Sequence, residues 1–464
     1  MSCDCSRRNV LRSLVGGSLL LPGMLHELLA GESTVAAPID ELAPKAPHFP
    51  AKAKRVIMLY MSGGVSHVDS FDYKKKLFDD AGKQVPSSNP HHKSTQFLKR
   101  PDFEFKPHGK SGMMISELFP NIAECADDIC MLNSLKCDHG NHYEATLQVH
   151  TGSFSFVRPS IGSWVSYGLG TVNKNLPSFI ALAPFLPYAG GQTWGNDFLP
   201  GCHQGVRVQG GAQAIPNMNR RALTAGLQDM ELGLLNAFNE SHLSTRGADP
   251  ALAARVKSFE TAFGMQKEAP EAFDFSKESD ATHKLYGLER GSTAGFAWQC
   301  LAARRLCERG VRFIELIDSG AHDNWDSHDD IKKHIPLARN VDKPIAGLLK
   351  DLKARGMLDD TLVVWTTEFG RTPQVGFKEN KGREHHPSCF TSWMAGAGVK
   401  RGYVHGKSDD YGIEVGENGV HMHDFHATIL HLLGMNHEKL TFRHAGRDFR
   451  LTDVAGKVVK EILS

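Results

Sequence analysis

The sequence predicts an α/β fold in which a mainly parallel central sheet is sandwiched between helices. Helical and strand-like segments alternate along most of the 464 residues, as in chains whose parallel strands are joined by helices. The clearest strand-like segments, 55–61 and 361–366, are uninterrupted apolar runs, as expected for strands buried on both faces. Acidic residues and histidines follow several of these runs, at the position where α/β proteins bind ligands.

The other elements follow from their residue patterns. The helix predicted over 292–309 has its small and apolar residues on one face, and Gly356 ends the helix predicted over 335–355. The remaining predicted strands are 129–135, 179–183 and 311–317, and the remaining predicted helices are 116–125 and 425–433. The pattern weakens over 190–281, which we interpret as an inserted irregular and helical cap.

The N-terminal residues predict export. Residues 6–11 (SRRNVL) form a twin-arginine signature, and the apolar stretch over 14–21 is too short to span a membrane. We therefore predict a signal peptide over 1–37, delivering the protein to the periplasm or outside the cell by the twin-arginine pathway. A linker over 38–54 then precedes one α/β domain over 55–464, which contains no candidate membrane span.

The composition excludes some classes of function. With 41% hydrophobic and 23% charged residues, the chain has an ordinary globular composition. Its 53 basic and 52 acidic residues nearly cancel, so we expect neither nucleic acid nor an anionic membrane surface as a partner. The absence of Walker A, GxGxxG, HExxH and GxSxG motifs argues against nucleotide-dependent chemistry, zincin proteases and serine hydrolases.

The loop after the strand over 311–317 is rich in metal-ligand residue types. Asp318 and His322 have the spacing D-x-x-x-H, and Asp326 and His328 have the spacing D-x-H. Carboxylate oxygen and imidazole nitrogen are ligands for Zn²⁺, Mn²⁺ or Fe²⁺. A solvated acidic loop that caps the next helix is the alternative. A tryptophan within this loop favours the functional interpretation.

The strand over 361–366 is followed by a second cluster of candidate residues. Glu368 stands at the strand end, as a metal ligand or a general base, or as the partner of Arg371 or Arg383. His385 and His386 are adjacent, so only one of them faces the site in an extended loop. We prefer His385.

Two further pairs follow other strands. His67 and Asp69 follow the strand predicted over 55–61, and His139 and His142 follow the strand predicted over 129–135. Each pair alone is a weak signal, because loop hydrogen bonding or helix capping explains it equally well. Together with the two later clusters, they describe one face formed by four strand ends.

Several segments resemble the bacterial domain-of-unknown-function 1501 family, which is grouped with the alkaline phosphatase and sulfatase superfamily. They include SGGVSHVDSFDYK (62–74), VVWTTEFGRTP (363–373) and GREHHP (382–387). The resemblance extends across nearly the whole mature chain. It implies a sulfatase-like α/β sandwich with metal ions at the carboxyl ends of the strands.

The superfamily pattern differs here at specific positions. A serine, threonine or formylglycine-forming cysteine usually stands shortly before a Thr-Gly pair, and the position so related to Thr151 and Gly152 is His142. Formylglycine formation is therefore excluded there. An Asp-His pair of the superfamily corresponds to Glu368 and Phe369, which lacks the imidazole.

The leading hypothesis is an exported metal-dependent hydrolase acting on a sulfate or phosphate ester of a small molecule or glycan. We expect one divalent ion, such as Zn, Mn or Ca, whose expected ligands are Asp326, His328, Glu368 and His385, with Asp318, His322, His67 and Asp69 as further candidates. The identity of the ion and the oligomeric state stay open.

His142 is expected to act as nucleophile or general base, in place of the usual hydroxyl. Arg371 or Arg383 is expected to bind the anionic group through its guanidinium fork. The alternative is a non-catalytic exported protein that kept the fold and binds a metal ion or a sulfated glycan. A phosphomutase-like transferase is a third possibility that export disfavours.

Overall fold

A computed structural model provides the structure of the chain. The residues that it describes are 40–87, 95–211, 214–215, 224–246 and 250–464. The signal peptide predicted over 1–37 therefore lies outside the described residues.

The strands of the described chain are, in order, β1 (Arg55–Tyr60), β2 (Gln84–Val85), β3 (Gln96–Leu98), β4 (Phe105–His108), β5 (Met113–Ser116), β6 (Ile129–Lys136), β7 (Phe179–Leu182), β8 (Val206–Val208), β9 (Phe313–Ile317), β10 (Thr361–Thr366), β11 (Gly370–Arg371), β12 (Gln374–Val375), β13 (His385–His386), β14 (Phe390–Ala395), β15 (Tyr403–His405), β16 (Lys407–Ser408), β17 (Val415–Glu417), β18 (Val420–His421), β19 (Phe442–His444) and β20 (Arg447–Phe449).

The α-helices are α1 (His67–Ser70), α2 (Lys75–Asp79), α3 (Pro120–Ala123), α4 (His142–Thr151), α5 (Ile161–Leu169), α6 (Ala225–Arg246), α7 (Pro250–Phe273), α8 (Asp280–Tyr286), α9 (Phe296–Glu308), α10 (His334–Ala354) and α11 (Met422–Leu432). Short 3-10 helices span Ala126–Asp128, Gly190–Trp194, Gly201–His203, Ile331–Lys333 and Lys460–Ile462.

The main sheet confirms the predicted fold class. Its strands lie in the order β15-β6-β14-β10-β1-β9-β7-β8, and β18 also pairs with β6. β1 pairs in parallel with both β9 and β10, whereas β14 is antiparallel to its neighbours β10 and β6. The sheet is therefore mainly parallel, and the carboxyl ends of β6, β10, β1, β9 and β7 share one edge.

Both faces of the sheet are buried, which explains the uninterrupted apolar runs in the sequence. Along β1, Ile57 and Leu59 belong to one hydrophobic core, and Val56 and Met58 belong to a second core. Residues of α9 and α10 contribute to the first core, and residues of α5 and α11 contribute to the second. This alternation places a helical layer on each face of the sheet.

Some predicted elements differ from the observed ones. The stretch 190–281, expected to be an inserted cap, includes β8, which pairs with β7 and so belongs to the main sheet. The helix expected over 116–125 is reduced to α3, which follows the end of β5. No helix of the described residues is both long enough and apolar enough to cross a membrane.

The chain divides into two compact units. The described part of the smaller unit is residue 40, 224–246 and 250–260, and it contains α6 and the first part of α7. The larger unit includes 41–218 and 261–464, and it contains the main sheet. The candidate site lies entirely within the larger unit.

The end of α4 depends on a glycine. Gly152 adopts a left-handed conformation with φ of +72°, and its N–H donates to the carbonyl oxygen of Gln148 at 2.9 Å. This is a common way for a helix to end, because glycine has no Cβ to strain the conformation. A Cβ at this position would also collide with the carbonyl oxygen of Leu451.

Gly152→Ala should destabilise the protein by about 2–4 kcal/mol, because it combines a strained left-handed residue with this collision. The matched control is Gly82→Ala, since Gly82 has φ of +80° but a Cβ there meets nothing within 4 Å. The control should lose only about 1 kcal/mol. Urea unfolding measures both losses, and equal losses would contradict the close approach of Leu451.

Candidate metal centre

Three segments of the chain converge at the carboxyl ends of the central strands. His142 is the first residue of α4, which follows β6. Asp326 and His328 lie in the loop between β9 and α10, and His385 begins β13, which pairs with β11 after the end of β10. We call these four residues the His–Asp cluster.

The carboxylate of Asp326 lies at the centre of the cluster. Its Oδ1 is 2.9 Å from Nε2 of His328 and 3.3 Å from Nε2 of His385. Its Oδ2 is 3.2 Å from Nε2 of His142. One potential ligand atom from each of His142, Asp326 and His385 lies within 4.8 Å of the other two. Carboxylate and imidazole groups in this arrangement are a common ligand set for transition-metal ions.

The imidazoles of His142 and His385 are each oriented by a hydrogen bond at Nδ1, the ring nitrogen that does not face Asp326. Nδ1 of His142 lies 2.7 Å from Oε1 of Glu368, and Nδ1 of His385 lies 2.7 Å from the carbonyl oxygen of Gly140. Because both partners are acceptors, each Nδ1 carries a proton and each Nε2 is directed at Asp326. Metal-ligating histidines commonly donate their second N–H to a carboxylate or carbonyl in this way.

His328 lies on the outer side of the cluster. Its Nδ1 is 2.8 Å from Oε2 of Glu384, and its Nε2 is 3.0 Å from Nε2 of His385. Two imidazole nitrogens at this distance either share one proton or face a common cation. The side chain is 36% exposed, the largest value in the cluster, so solvent reaches His328 first.

Neighbouring carboxylates control the protonation of the cluster. The carboxylates of Asp326 and Glu384 raise the pKa of His328 to about 9. Burial lowers the pKa of His142, but the carboxylates of Asp326 and Glu368 outweigh burial and leave the pKa raised. Burial also opposes ionisation of Asp326, yet the imidazoles hold its pKa well below the usual range. A cation must displace imidazole protons, so cation binding should strengthen as the pH rises.

The ligand atoms fit a cation. The buried Nε2 of His142 makes no hydrogen bond of good geometry with any described residue, although Oδ2 of Asp326 is only 3.2 Å away. A buried polar atom without a hydrogen bond costs free energy, and a cation bound by this nitrogen would remove the cost. His142, Asp326 and His385 would hold the ion, with His328 near enough to join them.

Glu368 lies behind the cluster rather than within it. The side chain is fully buried, and its Oε1 accepts from the backbone N–H of Gly63 at 2.8 Å as well as from His142. Its Oε2 accepts from the hydroxyl of Tyr60 at 3.0 Å. These contacts orient the imidazole of His142. The geometry does not provide the direct ligand or catalytic contact that the sequence predicted for Glu368.

The two predicted anion-binding arginines are already bonded to the protein. Arg371 reaches the cluster, where Nη2 donates to Oδ1 of Asp326 at 2.6 Å, and its Nε and Nη1 donate to the carbonyl oxygens of Gly64 and Arg383. Arg383 lies away from the cluster, and donates to Asp69 at 2.6 Å and to the carbonyl of Thr372 at 3.0 Å. Both side chains are fully buried, so neither is placed to clamp an anionic substrate group.

His67 and Asp69 are also outside the cluster. Asp69 pairs with Arg383, and this guanidinium outweighs the effect of burial and lowers the pKa of the carboxyl group. Nε2 of His67 lies 2.9 Å from the carbonyl oxygen of Gly412, and the ring stacks on His386 with centroids 5.7 Å apart. Burial lowers the pKa of His67 to about 3. The residues predicted here as ligands therefore serve structural contacts.

Asp318 and His322 do not join the cluster either. Asp318 accepts from Nε1 of Trp325 at 2.8 Å and from Nδ2 of Asn340 at 3.0 Å. The side chain of His322 is exposed. Asp318 thus anchors Trp325, the residue before Asp326, instead of binding an ion. Of the two spacings in this loop, only D-x-H at 326–328 lies at the cluster.

Asp318→Asn should change the pH dependence of stability. Burial raises the pKa of Asp318 from 3.8 to about 6, so the folded protein binds this proton more tightly than the unfolded chain. The resulting stabilisation is fully present below pH 3.8 and is lost as the pH rises through about 6. Relative to the parent, the variant should gain about 2–3 kcal/mol of unfolding free energy between about pH 4 and about pH 8. Urea unfolding measures this gain, and a pH-independent difference would contradict the raised pKa.

Three groups that complete the centre were not predicted from the sequence. Glu384 orients His328, and its position directly before His385 was a usable signal. The carbonyl of Gly140 orients His385, and Tyr188 stacks on an imidazole of the cluster. No residue pattern marks a backbone carbonyl or a stacking ring as part of a site.

The fold and the His–Asp cluster define an α/β protein with a candidate metal centre at the carboxyl ends of its strands. The sequence matches the family described as "Protein of unknown function (DUF1501)" over residues 53–463, and the chain belongs to this family. The membership predicted from the sequence is confirmed. No curated protein matches this sequence significantly.

Several solved structures are distantly similar. The lipoteichoic acid synthase LtaP from Listeria monocytogenes is 9% identical, with 89% of this chain and 79% of that chain covered and a TM-score of 0.41. Alkaline phosphatase from the Antarctic bacterium TAB5 is 12% identical, with coverage of 83% and 99% and a TM-score of 0.32. PsFucS1 sulfatase from Pseudoalteromonas sp. is 12% identical, with coverage of 83% and 68% and a TM-score of 0.33.

Proposed function

We propose that this protein is a metal-dependent hydrolase of sulfate or phosphate esters that acts in the periplasm or after secretion. The His–Asp cluster is the observation that carries the proposal, because the Nε2 atoms of three histidines surround the carboxylate of Asp326. The twin-arginine signature in residues 6–11 supports export. The substrate would be a small molecule or a glycan that carries the ester.

The cluster favours a transition-metal ion. Imidazole nitrogen suits Zn²⁺ and the later first-row metals, carboxylate oxygen suits Mn²⁺ as well, and Ca²⁺ prefers a shell of oxygen ligands. Of the ions expected from the sequence, Zn²⁺ or Mn²⁺ therefore matches His142, Asp326 and His385 better than Ca²⁺ does.

A divalent cation at the cluster would polarise the ester oxygen and lower the pKa of a bound water. The protein prepares the ligands for this ion: Glu368 keeps the Nδ1 proton on His142, and the carbonyl of Gly140 keeps it on His385. Since Nε2 of His142 faces Asp326, the geometry favours His142 as a ligand rather than as nucleophile or general base.

One observation favours the alternative function. The position at which the resemblance implies a serine, threonine or cysteine is His142, and Arg371 and Arg383 are bonded to protein oxygens. A non-catalytic exported protein that binds a metal ion or a sulfated glycan needs no nucleophile. Under this alternative the cluster would retain its metal ion, but no ester would be hydrolysed.

The mature chain, from residue 38 onward and loaded with Zn²⁺ or Mn²⁺, should hydrolyse an aryl sulfate or an aryl phosphate. Asp326→Ala and His385→Ala should each lower kcat/KM by at least about 100-fold, because each removes a direct ligand of the ion. Initial rates with chromogenic esters measure the effect. Removal of the metal by a chelator should abolish turnover, and adding the metal back should restore it.

His322→Ala is the matched control, because His322 is exposed and lies in the same loop as Asp326. This variant should keep the parental rate. An equal loss in the control would show that the activity does not depend on the cluster. A metal-loaded parent that hydrolyses neither ester would contradict the hydrolase and favour the binding alternative.

A further inference from the structure

Tyr188 places a phenol directly against the His–Asp cluster. It lies in the loop that follows β7, and its side chain is partly exposed. Its ring is nearly parallel to the imidazole of His142, with 4.1 Å between the centroids and 7° between the planes. The phenol therefore covers one face of the imidazole whose Nε2 faces Asp326.

The hydrogen bonds around Tyr188 determine what its hydroxyl can do. The phenol oxygen accepts from Nδ2 of Asn324 at 3.0 Å. The orientation of this amide is settled, because Oδ1 of Asn324 accepts the backbone N–H of Asp326 at 3.0 Å and Nδ2 also donates to the carbonyl of Gly320 at 2.9 Å. Within the described chain the O–H of Tyr188 has no acceptor of its own, so its proton is available to a ligand.

The loop that carries Tyr188 is fastened to the loop that carries Asp326. The N–H of Ala321 donates to the carbonyl oxygen of Leu186 at 3.0 Å. A Cβ on Gly320 would lie 2.8 Å from that same oxygen, so the two backbones touch and no side chain fits between them. This backbone contact and the hydrogen bond from Asn324 to the phenol join the loop of Tyr188 to the loop of Asp326.

We propose that Tyr188 donates a hydrogen bond to an anionic oxygen of the sulfate or phosphate group that binds at the cluster. This inference rests on the proposed function and adds a substrate contact to it. Arg371 and Arg383 are bonded to protein oxygens, whereas the O–H of Tyr188 is free to reach a ligand. A hydrogen bond to a charged oxygen is roughly twice as strong as one between neutral groups.

Tyr188→Phe tests the proposal, because it keeps the ring over His142 and removes only the hydroxyl. The probe is inorganic phosphate, titrated calorimetrically into the metal-loaded mature chain. We expect phosphate to bind about tenfold more weakly to the variant than to the parent. The metal content of the two proteins should be equal, which separates loss of a donor from damage to the cluster.

Tyr143→Phe is the matched control. Tyr143 directly follows His142, but its hydroxyl already donates to Oε1 of Gln192 at 2.8 Å. This variant should bind phosphate as tightly as the parent does.

Three results would overturn the role of Tyr188. They are equal phosphate affinity in the parent and Tyr188→Phe, loss of metal from Tyr188→Phe, and a parent that binds no phosphate. Ester turnover is measured separately. Weaker phosphate binding by Tyr188→Phe, together with a parent that hydrolyses no ester, would keep the donor role and reject the hydrolase.

Discussion

The carboxylate of Asp326 lies among three imidazoles and the guanidinium of Arg371, and the geometry of the candidate site depends on these contacts. The surrounding groups come from the start of α4, the loop after β9 and the β11–β13 pair, so the carboxylate joins three distant parts of the chain. Removal of one charged partner from such a group leaves the charge of the remaining partner uncompensated. Glu368 and the carbonyl of Gly140 then set which nitrogen of each attached imidazole faces Asp326.

The segment after β1 packs against the residues of the candidate centre and supplies no ligand to it. Gly63 has φ of +112°, and a Cβ there would lie 2.7 Å from the backbone nitrogen of Asp326. Its own N–H donates to Glu368, which orients His142. Further along the segment, Asp69 is neutralised by a buried arginine. The end of β1 is therefore occupied by close backbone packing.

Apolar runs predicted five strands of the main sheet, β1, β6, β7, β9 and β10, but not β14, and the limits of β10 coincide with the predicted strand over 361–366. β8 was not predicted, because a strand of three residues at the edge of the sheet forms no apolar run. Residue types after strands indicated Asp326, His328 and His385, since parallel strands end at one edge. Residue types alone could not distinguish these three residues from Asp318. The contact of Asp318 with a tryptophan depends on the conformation of the loop. The role of a backbone carbonyl or of Tyr188 depends on tertiary packing and leaves no sequence signal.

X-ray absorption at the metal edge of the purified mature chain is the most direct test of a metal centre at the His–Asp cluster. We expect a bound transition-metal ion whose first shell contains imidazole nitrogen and carboxylate oxygen, as the atoms of His142, Asp326 and His385 require. The shell should lose an imidazole in His142→Ala and stay unchanged in His322→Ala. A chain without a transition metal, or a metal shell that His142→Ala leaves unchanged, would contradict a metal centre at the His–Asp cluster.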